Sequence, residues 1–257
     1  MRMSCHEFGP ANAPRGLWIH GFMGDGQQGA DLQRALGPGF RLCCPDLPGH
    51  GTTPVSGWTL ADTLDALAEL ASDCAWAGGY SMGGRLLMMA AAKHPEAFRD
   101  LVIESASLGC ADPHERARRR ELDRQRADEL IAVGLTAFRE KWYRMEMWGG
   151  WTPSTPATGD EPGLAAALTR FSTGNQPDMR LWLSTTTCRV LWLAGSRDPG
   201  YVQQAQWVER HTRHSPVLLD AGHNPHRQQP AAWADALRHF LLTDPQLLLT
   251  DPQPQDQ

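Results

Sequence analysis

No stretch of the 257-residue chain approaches the roughly 18 consecutive apolar residues of a membrane-spanning helix, so none is expected. Met1 to Pro14 contains no apolar run, which argues against a secretory leader and makes the cytoplasm the expected compartment. Basic residues are the minority. The 24 Lys and Arg against 29 Asp and Glu leave a net charge of −5, which disfavours a nucleic-acid binder. The six cysteines (Cys5, Cys43, Cys44, Cys74, Cys110 and Cys188) form no C-x-x-C pair, and a chain of this length needs no covalent staples. They are expected to be reduced thiols. There is no H-E-x-x-H, no G-K-[ST] phosphate loop and no G-x-G-x-x-G after a strand, so neither a metal nor a cofactor is expected.

Apolar residues make up 41% of the chain, enough for a sizeable core. In the first half, strand-like runs (Gly16 to Ile19, Phe40 to Cys44, Cys74 to Gly78, Leu101 to Ile103) alternate with helical segments. Thr59 to Asp73 places Leu60, Leu64, Leu67 and Ala71 on one face, and Thr59 with Asp62 resembles a capping start. Met82 to Lys93 is a Leu/Met/Ala-rich helix that stops at His94-Pro95. From residue 108 to 183 the pattern turns helical throughout: Asp112 to Gly134, Leu135 to Tyr143 and Leu164 to Leu183, with a Pro/Thr/Gly loop from Pro153 to Gly163. Strands return at Arg189 to Ala194 and Pro216 to Leu219, a last helix spans Ala231 to Leu242, and 243–257 reads as a loose tail. The expectation is an α/β fold: a mostly parallel sheet flanked by helices, built from 1–107 and 184–242, with an all-helical lid inserted at 108–183.

Gly79-Tyr80-Ser81-Met82-Gly83 is a G-x-S-x-G sequence between a strand and a helix, the context of a nucleophile elbow. A serine there needs a histidine to take its proton and a carboxylate to orient the histidine, in the chain order Ser, acid, His. Asp198 and His223 follow strands and fit that order, with Asp220 and His226 as rivals. The amides of Phe22, in the loop His20-Gly21-Phe22, and of Met82 are the expected oxyanion hole. Arg85 lies in the first turn of a helix, where the dipole disfavours a cation. It therefore implies a nearby anion, either a bound carboxylate or an ordinary partner such as Glu104. A second basic cluster, Arg116, Arg118, Arg119, Arg120, Arg124 and Arg126, cannot all face one way on a helix.

Together these segments resemble the α/β-hydrolase superfamily and, more narrowly, the 2-succinyl-6-hydroxy-2,4-cyclohexadiene-1-carboxylate synthases, lyases of the menaquinone pathway. The resemblance rests on His20-Gly21-Phe22-Met23-Gly24, Asp46 to Gly51, Gly79 to Arg85, Glu104 to Gly109, Trp142-Tyr143 and Ala221 to His226. It implies a triad of Ser81, Asp198 and His223. It also implies a pocket lined by Tyr80, Arg85, Arg119 and Trp142 for a small-molecule polycarboxylate that loses a proton and expels pyruvate. A serine hydrolase using the same triad, an esterase or a C–C bond hydrolase, is the alternative. A non-catalytic receptor is disfavoured because all three triad positions are filled.

Overall fold

The alternation of apolar runs and helical segments forms one seven-stranded sheet in the computed structural model, which describes residues 1–155 and 158–243. In chain order the elements are β1 (Cys5–Phe8), β2 (Arg15–Ile19), α1 (Gly29–Leu36), β3 (Arg41–Pro45), α2 (Leu60–Ser72), β4 (Trp76–Tyr80), α3 (Met82–Lys93) and β5 (Asp100–Glu104). They continue with α4 (Pro113–Tyr143), α5 (Glu161–Arg170), α6 (Arg180–Thr185), β6 (Arg189–Gly195), α7 (Pro199–His211), β7 (Pro216–Leu219), α8 (Pro225–Gln228) and α9 (Pro230–Leu242). The strand order is β1-β3-β2-β4-β5-β6-β7, with β1 antiparallel to β3 and every other pair parallel.

Side chains on a strand alternate between faces, and here each face meets its own helices. From β2, Leu17 and Ile19 join Leu67, Leu86 and Leu87 of α2 and α3 on one side. Trp18, between them, joins Trp76 and the α9 residues Trp233 and Leu237 on the other. Trp18 meets Trp233 edge-on at 5.1 Å, so two of the ten tryptophans of the chain are core. β4 and β5 are buried along their whole length, as strands covered on both faces must be.

Helix α2 opens on the capping box its sequence suggests. Asp62 N donates to Thr59 Oγ1 at 3.1 Å and Thr59 N to the Asp62 carboxylate at 2.9 Å. α3 has the expected bounds, and the strand expected at Cys74 to Gly78 lies two residues further on. The segment Leu164 to Leu183 is not one helix. α5 ends at Arg170, a short 3-10 turn occupies Thr173–Asn175, and α6 begins at Arg180. Pro177 between them cannot continue a helix, and glycine at 174 lets the chain pass close to α4, where a Cβ would sit 2.3 Å from the Arg116 carbonyl. Strand β1 and helices α1 and α7 carry weaker sequence signals: a four-residue edge strand, an eight-residue helix opening on Gly29, and a helix burying only Ala205 and Val208. Of the expected tail only Thr243 is among the described residues.

Between β5 and β6 the described elements are all helical. The long Arg-rich stretch is two helices end to end, broken at Gly134 (φ 80°, ψ 162°), where the sequence divides them. α4 and α5 pack Leu130, Phe138, Leu164 and Leu168 against Met23, which follows β2. No described helix is long and apolar enough to cross a membrane, and all six cysteines are free.

A Cβ at Gly134 meets nothing within 4 Å, so its need for glycine is purely conformational. Gly134→Ala should therefore destabilise the protein by about 1–3 kcal/mol, the cost of holding an L-residue in a region reserved for glycine. Chemical denaturation should show this as a lowered midpoint. An unchanged midpoint would mean that the break relaxes freely.

Candidate active site

The turn from β4 into α3 contains no loop. Ser81 N donates to the Glu104 carbonyl of β5 at 2.8 Å, Met82 is already the first helical residue, and Ser81 takes up φ 53°, ψ −110°. Neighbours without Cβ make this possible. A Cβ on Gly79 would lie 2.7 Å from Gly83 C, and one on Gly83 only 2.4 Å from the Ile19 carbonyl. The Ser81 side chain caps nothing. Its Oγ lies 2.9 Å from His223 Nε2, and His223 Nδ1 lies 2.7 Å from Asp198 Oδ2. His223 and Asp198 are 1% and 2% exposed. All three residues lie just beyond the C-terminal ends of parallel strands β4, β6 and β7, where open α/β sheets bind ligands.

The rivals are engaged elsewhere. Asp220 is exposed and faces Arg197 at 3.4 Å. His226 is held by the buried Glu104, whose Oε1 accepts from His226 N at 3.2 Å and pairs with His226 Nδ1 at 2.8 Å. Glu104 is thus not the partner of Arg85. It instead ties the histidine loop to the strand whose carbonyl holds Ser81.

Met82 is the first residue of α3, so its amide has no acceptor within the helix. Phe22 lies opposite and lines the same cavity as Ser81 and Met82. The loop carrying Phe22 is fixed by His20, whose Nε2 accepts from Leu47 N at 3.0 Å and whose Nδ1 donates to the Gly21 carbonyl at 2.7 Å. Those contacts need the neutral ring, and burial lowers the pKa of His20 in the same sense. The His50 ring stands 5.0 Å from that of His20, and burial depresses its pKa further.

The cavity over Ser81 encloses about 210 Å³ and is lined by Arg85, Arg119 and Trp142, three of the four expected pocket residues. The fourth, Tyr80, opens instead into an adjoining cleft shared with Gly21 and Phe22, its ring between those of His223 (5.4 Å) and His226 (5.1 Å). Arg85 is 8% exposed. Its Nη2 donates to the Phe171 carbonyl at 2.7 Å, and its Nη1 is buried with no partner among the described residues. Burial, opposed by Tyr201 and reinforced by Arg119, brings its pKa down to about 10, so it is still a cation at neutral pH. Arg119 Nε donates to Asp123 Oδ2 at 3.2 Å.

Two aromatic contacts to the histidine escaped the sequence reading. Tyr201 stands 4.6 Å from His223, ring to ring, and Trp148 meets it edge-on at 5.2 Å. Tyr201 lies three residues after Asp198, in the first turn of α7, a helix whose narrow apolar stripe hid it. Trp148 closes the segment Met145-Glu146-Met147-Trp148, whose two methionines and tryptophan after Trp142-Tyr143 are the available signal.

A model of the alpha/beta hydrolase family matches residues 17–236. The 2-succinyl-6-hydroxy-2,4-cyclohexadiene-1-carboxylate synthase of Salmonella heidelberg (strain SL476) is 34% identical over 92% of this chain and 97% of its own. The enzyme of the same name from Escherichia coli O1:K1 / APEC is 32% identical over 91% and 96%. Among solved structures, MenH from S. aureus superposes with a TM-score of 0.85, covering 94% of this chain and 98% of its own. At 22% identity that likeness is one of fold. The chain belongs to the alpha/beta hydrolase family, as a relative of its 2-succinyl-6-hydroxy-2,4-cyclohexadiene-1-carboxylate synthases.

Proposed function

We propose that this chain eliminates pyruvate from 2-succinyl-5-enolpyruvyl-6-hydroxy-3-cyclohexene-1-carboxylate to give 2-succinyl-6-hydroxy-2,4-cyclohexadiene-1-carboxylate. The observation that carries the proposal is Arg85: a buried guanidinium whose Nη1 has no partner among the described residues, with Asp123 across the cavity but not paired to it, opening into the cavity that holds Ser81. Such a group is complementary to a substrate carboxylate, and this substrate has three. The names of the relatives at 32–34% identity support the same activity.

In the proposed mechanism Ser81, with His223 as its proton acceptor and Asp198 orienting the ring, takes the proton from the ring carbon beside the succinyl ketone. The amides of Phe22 and Met82 receive the charge that spreads onto the ketone oxygen. The ring double bond shifts, a second forms, and the ether oxygen leaves with its three-carbon unit, which becomes pyruvate on taking up a proton at its methylene carbon. Arg85 and Arg119 hold carboxylates so that the acidic C–H faces Ser81. A serine hydrolase would use the same triad, but a simple ester offers no charge to answer Arg85.

Ser81→Ala and His223→Ala should each lower kcat/KM by roughly 10³-fold or more, and the double variant should lose little beyond either. Fully multiplicative losses would show that the two residues do not act as one unit.

Arg85→Ala should cost about 2–5 kcal/mol in kcat/KM for the anionic substrate, as one partner of a buried charge pair is lost. Arg119→Ala should cost less, since this side chain is 39% exposed and already faces Asp123. Unchanged kinetics in Arg85→Ala would leave that residue only its bond to Phe171.

Elimination consumes no water. In heavy-oxygen water the ring product should carry no solvent oxygen, and deuterium at the abstracted position should slow kcat/KM if proton removal limits the rate. Solvent oxygen in a carboxylate product of C–C cleavage, or a trapped Ser81 adduct after a burst, would decide for covalent hydrolysis.

A further inference from the structure

We infer that Arg126 is a further carboxylate-binding residue of this site, held at the lid side of the cavity by Asp123 and Trp142. The inference rests on the polycarboxylate substrate proposed above. Arg126 follows Arg119 by two helical turns, so the two share a face of α4, and both line the cavity over Ser81. The other arginines of the stretch are engaged away from it. Arg116 and Arg120 donate to the Gly174 carbonyl at 3.2 and 2.8 Å. Arg118 pairs with Glu115, and Arg124 with Glu121 and Asp128, on the exposed side of the helix.

The surroundings of Arg126 suit an anion receptor. Its guanidinium lies over the Trp142 ring, 5.2 Å from the centroid, and Trp142 is itself stacked on Phe138 at 5.7 Å. Nη1 donates to Asp123 Oδ1 at 3.1 Å, whereas Nη2 meets only the Met145 thioether at 4.0 Å, a weak acceptor. The Arg126 side chain is 21% exposed, so it is sheltered yet still reachable. Burial and the neighbouring Arg119 lower its pKa, both effects that a bound carboxylate would oppose.

The charge count points the same way. Asp123 is the one carboxylate among the residues lining the cavity, and it already accepts from Arg119, from Arg126 and from Ser172 Oγ at 2.8 Å. A single buried anion therefore stands against three guanidinium groups, those of Arg85, Arg119 and Arg126. That excess of positive charge costs least once carboxylates enter, and an excess of this size suits a substrate bearing more than one.

Arg126→Met keeps the stem over Trp142 and removes the charge; Arg126→Lys keeps the charge. With the enolpyruvyl tricarboxylate, Arg126→Met should raise KM about 10- to 100-fold, the scale of one charge-assisted hydrogen bond, with a smaller fall in kcat. Arg126→Lys should recover part of the loss. Calorimetric titration with propane-1,2,3-tricarboxylate at low salt should show an affinity lowered by a similar factor in Arg126→Met, and needs no turnover. If the wild type binds this probe but does not turn over the substrate, the proposed lyase activity fails while the titration still decides the role of Arg126. Arg126→Met with wild-type KM and wild-type probe affinity would reduce the residue to helix packing, as would a wild type that does not bind the probe. Should Arg126→Met fail to fold, the same two measurements on Arg126→Gln decide the question.

Discussion

Ser81 sits at φ 53°, ψ −110° because the chain must leave β4 and enter α3 within one residue, and the rest of the site is arranged around the cost of doing so. That cost is about 1–3 kcal/mol, sustained only where the surroundings fix the backbone. Three non-glycine residues among those described have positive φ: Met23, Ser81 and Ser105. They follow the neighbouring parallel strands β2, β4 and β5. The strain is thus gathered along one edge of the sheet, where the Phe22 loop, the serine and the Glu104 carboxylate converge. Glu104 anchors two of these parts at once, with its carbonyl on the Ser81 amide and its carboxylate on His226.

Electrostatics divides the site into two compartments. At the strand ends Ser81, His223 and Asp198 form a chain of short hydrogen bonds, and burial disfavours the charged form of His20 and His50. Above it, α4 contributes two of the three arginines that line the cavity, and Asp123 is the one carboxylate among the lining residues. In the proposed mechanism, proton transfer and anion recognition thus fall to different layers, the strand ends and the helical insertion, which meet at Arg85.

Much of this could be read from the sequence, for definite reasons. The elbow is legible because its G-x-S-x-G pattern falls between a strand and a helix; glycine at 79 is demanded by Gly83 and Gly84 close by, although glycine at 83 answers to Ile19 and His20 on the distant β2 side. The order of Ser81, Asp198 and His223 is legible because each follows a buried strand with a plain apolar signature. Helix α7 was not seen, because Tyr201 faces the site and leaves only Ala205 and Val208 as buried apolar positions. The break between Arg170 and Arg180 had local signals, Gly174 and Pro177, which the helical spacing on either side masks. Which lid arginines face inward was likewise undecided. All six lie on helical spacing, and only tertiary partners such as the Gly174 carbonyl and Asp123 sort them.

Placing a helical insertion between β5 and β6 also has a consequence for how the molecule assembles. Ser81 and His223 are 142 residues apart in the chain, and β5 reaches its partner β6 only across the whole lid segment. The entropy of closing so long a loop grows only slowly with its length, but it must be met before the pairing that rewards it. Within that segment α4 and α5 pack on a cluster of their own, with Met23 as its link to the early strands. Ser81 follows β4, which pairs with β2 and β5 on the near side of that loop, whereas Asp198 and His223 follow β6 and β7 on its far side, so closing the loop is also what brings these three residues together.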